Sequence, residues 1–391
     1  MKTSGRRLGF TFIIWLLSAA FLFAGHNLAT RRLEPAPHES GYTVFSATVL
    51  EVLDRNVWSQ EIGPEFTITN TLVTFTARVT SGDARGAVIT AEHYLDGLML
   101  TAEREVVAGD RVLLFYDDFF GRYTFVDYVR IHHLVGLGLV FFALMVWFGG
   151  KKGLNAIVAL GFTCMAVFMV LVPAILSGRN IYTTAILVCA YIVVSTLLTV
   201  IGPNKKALSA MLGCLGGVLL AGLLMFIMDI LMNLTGMVDQ DAQFLLALPV
   251  ETPVSLRAIV FAGVIIGAVG AIMDVAMSIA SSLWEVREVA EEAHFAQIFK
   301  SGLNIGKDIL GTMLNPLILA YIGSSLSLIL LIAFYANATS LLELFNREMI
   351  SIELLRALVG SFGIFLAVPL TSAICGWLYA KPRDPAFDSD W

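Results

Sequence analysis

Apolar residues in this chain gather into runs long enough to cross a bilayer, separated by short polar breaks. The runs cover residues 8–25, 134–149, 154–176, 181–201, 208–233, 256–283, 309–337 and 354–379, eight candidate spans. A helix rises about 1.5 Å per residue, so about 20 apolar residues cross a hydrocarbon core of about 30 Å. Residues 26–132 follow a different rhythm. There Val73, Phe75, Ala77 and Val79 alternate with Thr74, Thr76, Arg78 and Thr80, the period of a strand with one face on a core. Further strands are expected over 44–53, 87–92, 111–116 and 123–131, with Gly109-Asp110 as a turn ahead of Val112. The pattern predicts a polytopic α-helical membrane protein. Five or so short strands form a small β-barrel-like domain, OB-like or SH3-like, between spans one and two.

Composition strengthens the membrane reading. Hydrophobic residues make up 57% and charged residues 14%, against roughly 25% charged in soluble domains, so most of the chain is expected to face the lipid bilayer. Loop charges then give a direction. Lys2, Arg6 and Arg7 precede the first run, and Lys151-Lys152, Lys205-Lys206, Arg287 with Lys300, and Lys381 with Arg383 fall in alternate breaks. The opposite breaks hold little more than Arg179 and Arg347 among cations, together with Asp239, Asp241 and Glu251. By the positive-inside rule both termini are cytoplasmic and residues 26–132 extracytoplasmic, a frame in which Trp147, Trp284 and Trp377 sit near cytoplasmic ends of spans. The expected layout is an N-terminal anchor helix over 1–25, the β-rich domain over 26–132 opened by a linker with Pro35 and Pro37, a seven-helix membrane domain over 133–380, and a cytoplasmic tail over 381–391. The first run outlasts a signal-peptide core of roughly 7–15 residues, which favours an anchor and leaves cleavage open. Cys164, Cys189, Cys214 and Cys375 all lie in apolar runs without metal-like spacing and read as small buried residues. A net charge of −6 without a basic stripe argues against nucleic acid.

Candidate chemistry concentrates on two segments. In the sixth span Gly263, Gly267, Gly270, Asp274, Ser278, Ser281 and Glu285 are spaced 4, 3, 4, 4, 3 and 4 apart and share one helical face. Small residues there suit a packing seam. An acid inside a span costs about 2.5–3.5 kcal/mol on insertion scales and marks ion or substrate paths unusually often. In the next segment Asn304, Asp308, Gly311 or Thr312, and Asn315 again share a face, and Pro316 is expected to kink or stop the helix near Asn315. The result is either a discontinuous helix beside an acid-bearing one, as in many secondary transporters, or an interfacial helix over 303–315 with a fresh span from Leu317. Lys307 is within sequence reach of neutralising Asp274 or Asp308.

Other signals are weaker. Asp229 and Asn233 lie a turn apart at the outer end of the fifth span and read as solvated, beyond a seam of Gly213 and Gly217. His132-His133 reads as interfacial, since adjacent helical residues share no face, and Glu291-x-x-His294 as a solvated helix face. No Walker loop, nucleophile elbow or zinc-protease motif is found, so no catalytic residue, metal ligand or cofactor is assigned.

The runs DVAMSIASSLWEVRE over 274–288 and SGLNIGKDILGTMLNPLILAYIGSSL over 301–326 closely resemble the YibE/F-like family of bacterial multi-pass membrane proteins. Asp127-Tyr128-Val129-Arg130 and Lys206-Ala207-Leu208 resemble it as well. The resemblance implies a bacterial cytoplasmic membrane and no particular activity. Where the family pattern has Thr after the Asn of GTM-N, this chain has Pro316, so the resemblance does not carry the proline-broken helix.

The reading is a secondary transporter or permease for a small solute or ion, with Asp274, Ser278, Ser281, Glu285, Asn304, Asp308, Thr312 and Asn315 along its path. Asp274 is the expected proton or cation acceptor. The rival reading is a non-transporting scaffold or sensor whose β domain, residues 40–131, binds an envelope partner. Either is compatible with a homo-oligomer.

Overall fold

The structure is a computed structural model that describes residues 2–31, 43–63, 66–82, 84–97, 104–238, 240–246, 254–290, 294–335 and 340–380. Expectations resting on Pro35, Pro37, Asp239, Glu251, Glu291, Lys381 and Arg383 lie outside the described residues, as do the side chains of Lys2, Arg6, Arg7 and Asp241. The chain divides into two compact units, residues 35–144 and residues 1–34 with 145–391.

The first unit holds five strands, β1 (Phe45–Gly63), β2 (Phe66–Val79), β3 (Val88–Leu95), β4 (Arg111–Asp117) and β5 (Arg122–Tyr128). The sheet closes on itself in the order β1-β2-β3-β5-β4, with β1 pairing β4 and with β3 and β5 running parallel. Alternation dictates the inside: Val73, Phe75, Ala77 and Val79 are buried together with Ala47, Val49, Ala91, Val112 and Leu114. The turn ahead of β4 needs Gly109, whose φ is +94°, and Asp110, whose carboxylate accepts from the Val107 N–H at 2.9 Å. β1 continues to Gly63 instead of ending at residue 53. Periodicity could not reveal the extension, because residues 50–61 are exposed on both faces. Val52, Leu53, Val57 and Trp58 lie on that arm.

Helices make up the rest: α1 (Lys2–Thr30), α2 (Ile131–Met165) followed by a π-helical turn (Ala166–Leu171) and α3 (Val172–Leu176), α4 (Ile181–Val200), α5 (Lys205–Leu231), α6 (Gln240–Leu246), α7 (Leu256–Val289), α8 (Phe295–Ser324), α9 (Leu326–Tyr335), α10 (Leu341–Asn346) and α11 (Glu348–Tyr379). Among the described residues, seven helices are long and apolar enough to cross a membrane. One of the seven, the stretch Ile131–Leu176, contains two of the eight predicted runs. It does not run straight. Gly150 has φ 52° and ψ −129°, and a Cβ added at Gly153 would lie 2.0 Å from the Met145 carbonyl oxygen. Residues eight apart on one helix are separated by about 12 Å, so the chain doubles back at Gly150.

Small residues let the central helices approach. On α5, Ala210, Gly213, Cys214, Gly217 and Ala221 face inward while Leu208, Leu212, Leu219, Leu223, Phe226 and Ile230 form an exposed row. α11 repeats the division, with Leu354, Leu358, Phe362 and Phe365 exposed. Such rows suit contact with hydrocarbon, and packing between backbones then holds the bundle together. α8 docks on α11 through Gly302 against Ser372 and Gly306 against Val368. α1 lies against the π-helical turn and α4, with Phe21 stacked on Tyr191 and His26 bonded to the Met169 carbonyl at 3.0 Å. At one end of the bundle the Tyr379 hydroxyl meets Ser209 Oγ at 2.6 Å and the Ala280 carbonyl at 3.3 Å. The Arg287 guanidinium donates to the Tyr379 carbonyl at 3.0 Å there. The ends bearing Lys205-Lys206 and Arg287 are thus together. At the other end Glu348 accepts from the Thr235 and Gly236 N–H groups, each at 2.6 Å.

Candidate functional site

α7 is an uninterrupted helix started by Ser255, whose hydroxyl accepts from the Ala258 N–H at 3.4 Å. One face, including Ile265, Ala268, Ile272, Val275, Ile279 and Leu283, is buried in the bundle. Its opposite face is the polar stripe. Gly263, Gly267, Gly270, Asp274 and Glu285 are exposed, and Ser278 and Ser281 are half-buried. Amphipathic periodicity makes this outcome unavoidable: a helix that buries the Ile272 side turns the Asp274 side outward.

α8 corrects the expected helix break. It passes through Pro316 as one helix of 30 residues and ends at Ser324, after which α9 begins at Leu326. Neither an interfacial helix over 303–315 nor a new start at Leu317 is present, and the expected span over 309–337 is divided between α8 and α9 among the described residues. Proline takes away a single N–H, the one that would reach the Thr312 carbonyl, and Pro316 is exposed, so its ring displaces no packed neighbour. Membrane helices tolerate such a loss. The Thr312 hydroxyl turns back to the carbonyls of Asp308 at 3.3 Å and Ile309 at 3.0 Å.

Asn304, Asp308, Gly311, Thr312 and Asn315 are all exposed, on the side of α8 opposite Ile298, Gly302 and Gly306. The two polar faces are nevertheless matched in depth. Leu283 touches the Gly302 position and the Tyr321 hydroxyl lies beside the Gly267 position, so α7 and α8 run antiparallel. Asp274 falls about midway between the two contacts on α7, and Thr312 about midway on α8. Among the described residues Asp274, Lys307 and Asp308 make no ion pair or side-chain hydrogen bond. The predicted neutralisation by Lys307 does not occur within this chain.

Two clusters escaped sequence reasoning. Asp229 is not a solvated helix-end acid: its side chain is 1% exposed and bonds the Arg257 guanidinium at 2.5 Å, with the Tyr182 hydroxyl at 3.4 Å. Its second oxygen is buried without a partner. The partners come from three separate helices, which only the fold brings together. The second cluster joins Glu353 and Arg356, paired at 2.8 Å, to the Ser325 hydroxyl at 2.9 Å from Glu353. Here a signal was legible. Glu353 and Arg356 are three apart and face each other on a helix, but a span begun at residue 354 separates them. A cavity of about 210 Å³ lies beside Tyr182, lined also by Arg179, Asn180 and Ser255, and contains none of the predicted path residues.

With both polar faces placed, comparison with known proteins becomes informative. A family model described as YibE/F-like protein matches residues 137–381, well over half of the chain. The chain belongs to the YibE/F-like family. No curated protein and no solved structure matches it. The YibE/F-like segment contains every predicted path residue and both quoted motifs, and it begins within α2. The closed sheet and the Asp127–Arg130 run precede the matched segment.

Proposed function

We propose that this YibE/F-like protein is a permease for a small solute or ion, with Asp274 accepting the coupling proton or cation. The observation that carries the reading is an acid far inside a spanning helix, on an exposed face, with no partner among the described residues. A group so costly to insert needs a compensating contact. Ser278, Ser281, Asn304, Asp308, Thr312 and Asn315 supply polar steps on either side, and Glu285 extends the path toward the Arg287 end. Because both faces turn outward, a second copy of the chain closes the path. The grouping of the Lys205-Lys206 and Arg287 ends supports a bacterial cytoplasmic membrane orientation with those ends inside and the barrel extracytoplasmic. Of the two barrel types expected, the 1-2-3-5-4 order with parallel β3–β5 pairing supports the OB-like one.

The test is flux in vesicles reconstituted with the full chain. Asp274→Asn should abolish proton or cation movement, read with an internal pH dye and with radioactive sodium or potassium. Undiminished flux in Asp274→Asn sinks the proposal. Closure by a second copy is tested in a Cys164→Ala background, where Gly311→Cys should cross-link between copies.

One observation favours a sensor or scaffold. The β1–β2 arm exposes Val52, Leu53, Val57 and Trp58 on a barrel whose core does not need them. An envelope protein that cross-links to Val57 in cells, together with silent vesicles, would decide for that reading.

A further inference from the structure

At one end of the barrel β4 starts beside the end of β5, with Val112 paired to Tyr128, and after Val129 and Arg130 the chain enters α2. A broad cavity of about 980 Å³ opens at this junction, lined by Arg104, Arg111, Tyr128, Arg130, His132 and His133, with Asp110 and Asp127 also in its wall. Its cations are organised. The guanidinium groups of Arg104 and Arg130 each lie 5.8 Å from the centre of the Tyr128 ring. Arg104 pairs with Asp110 at 3.0 Å and Arg130 with Asp127 at 2.7 Å. The wall therefore sets three arginines against two carboxylates and leaves one positive charge over. Among the described residues the side chains of Arg111, His132 and His133 have no ion pair or hydrogen bond, so their donors are available to a ligand.

Depth identifies the kind of ligand. From Leu134 onward α2 exposes Leu134, Val135, Leu137, Leu139, Val140 and Phe141 in succession. A helix apolar all round belongs in hydrocarbon. His132 and His133 immediately before it then stand at the headgroup level, where phosphate is the prevailing anion. We infer that the cavity at the barrel–α2 junction binds a phosphate-bearing anion through Arg111, His132 and His133. Arginine meets phosphate oxygens with paired, charge-assisted hydrogen bonds. The phosphate comes either from an acidic phospholipid or from solution.

The experiment uses the full chain in nanodiscs. One arm compares phosphatidylcholine nanodiscs with others containing phosphatidylglycerol, reading retained lipid by native mass spectrometry. The other titrates inorganic phosphate into phosphatidylcholine nanodiscs by calorimetry. Arg111→Gln is expected to weaken the response by at least about fivefold, His132→Gln with His133→Gln to weaken it further, and Arg111→Lys to keep most of it. Retention of phosphatidylglycerol that the variants lose identifies the lipid as source. A phosphate response that they lose identifies the free anion. Absence of both responses in the wild type overturns the inference, as does an equal response in the Arg111 and histidine variants. Should Arg111→Gln lose the barrel's amide protection, the two histidine substitutions, on the exposed first turn of α2, carry the test alone.

Discussion

Asp229 and Asp274 are both acids in helices long and apolar enough to cross a membrane, yet the protein treats them in opposite ways. Asp229 has its charge met by Arg257 and its surface sealed by the bundle. Asp274 lies on the outward face of α7, with nothing paired to it among the described residues. The cost of placing a carboxylate in a span is greatest at its centre, where Asp274 lies, and smaller near an end such as that of Asp229. What differs is the cover within the chain: the fold buries and pairs Asp229, whereas it leaves Asp274 exposed. An intramembrane acid is therefore informative about function only once its partner is known.

The contrast predicts its largest effect at Asp229. Asp229→Ala leaves Arg257 without its anion and opens space beside Tyr182, and is expected to cost about 3 kcal/mol. Part of the cost is relieved because Arg257 is 38% exposed. Asp274→Ala should change stability by less than about 0.5 kcal/mol. Thermal unfolding of both variants in the same detergent checks the pair, and equal losses would break the comparison.

A smaller effect separates the glycines of the two faces. A Cβ on Gly213 of α5 would lie 2.1 Å from Thr371 Oγ1 and 3.0 Å from the Thr371 Cα, whereas one on Gly270 of α7 meets nothing within 4 Å. Gly213→Ala should destabilise by about 1–3 kcal/mol. Gly270→Ala should stabilise by up to about 1 kcal/mol, the helix propensity that glycine forgoes. If Gly270→Ala destabilises instead, the stripe is covered by a partner packed closely enough to feel a methyl group.

The smallest effect comes from the same Asp–Arg chemistry in water. On the barrel, Asp127 bonds Arg130 at 2.7 Å, and that hydrogen bond holds the Asp127 carboxyl below its ordinary value. A carboxyl lowered on folding contributes stability above its unfolded pKa and loses it as pH falls through the folded one. The pair is largely exposed, so acidification should cost the barrel less than about 1 kcal/mol. Arg130→Gln should remove most of that acid sensitivity, the Tyr128 N–H on the carboxylate keeping the rest. Hydrogen exchange of the β4 and β5 amides in the full chain, followed as the pH is lowered, measures it.

Much of the architecture was legible because burial imposes a period. Alternation located the core half of β2, since Val73, Phe75, Ala77 and Val79 must share one side. The other four strands overlap segments expected from their composition and turn residues, but β2 begins at Phe66, seven residues earlier than expected. Run length located most of the long apolar helices, but the run over 309–337 is divided between α8 and α9 among the described residues. The same periods could not extend β1 through its exposed arm. Proline stereochemistry, not period, suggests a kink or stop near Asn315, although the helix runs on to Ser324. For the candidate site, spacing sorted residues onto the correct faces of α7 and α8. It could not say whether those faces look inward, because direction depends on which helices flank the other side. The Asp229 cluster failed for the same reason: Tyr182, Asp229 and Arg257 are 47 and 28 positions apart, and no local pattern links them.

The two ends of the bundle are also fastened by different materials. At the Tyr379 end, α5, α7 and α11 are joined through one phenol buried away from water, held by neutral hydrogen bonds to Ser209 and Ala280 and flanked by the Arg287 guanidinium on the Tyr379 carbonyl. At the Glu348 end the fastenings are carboxylates with hydratable partners, among them Thr235 and Gly236. Water and salt compete with the second kind far more than with the first. Mechanically, the bundle is a pair of tongs with its rivet at Tyr379, and any opening under load should begin at the opposite tips.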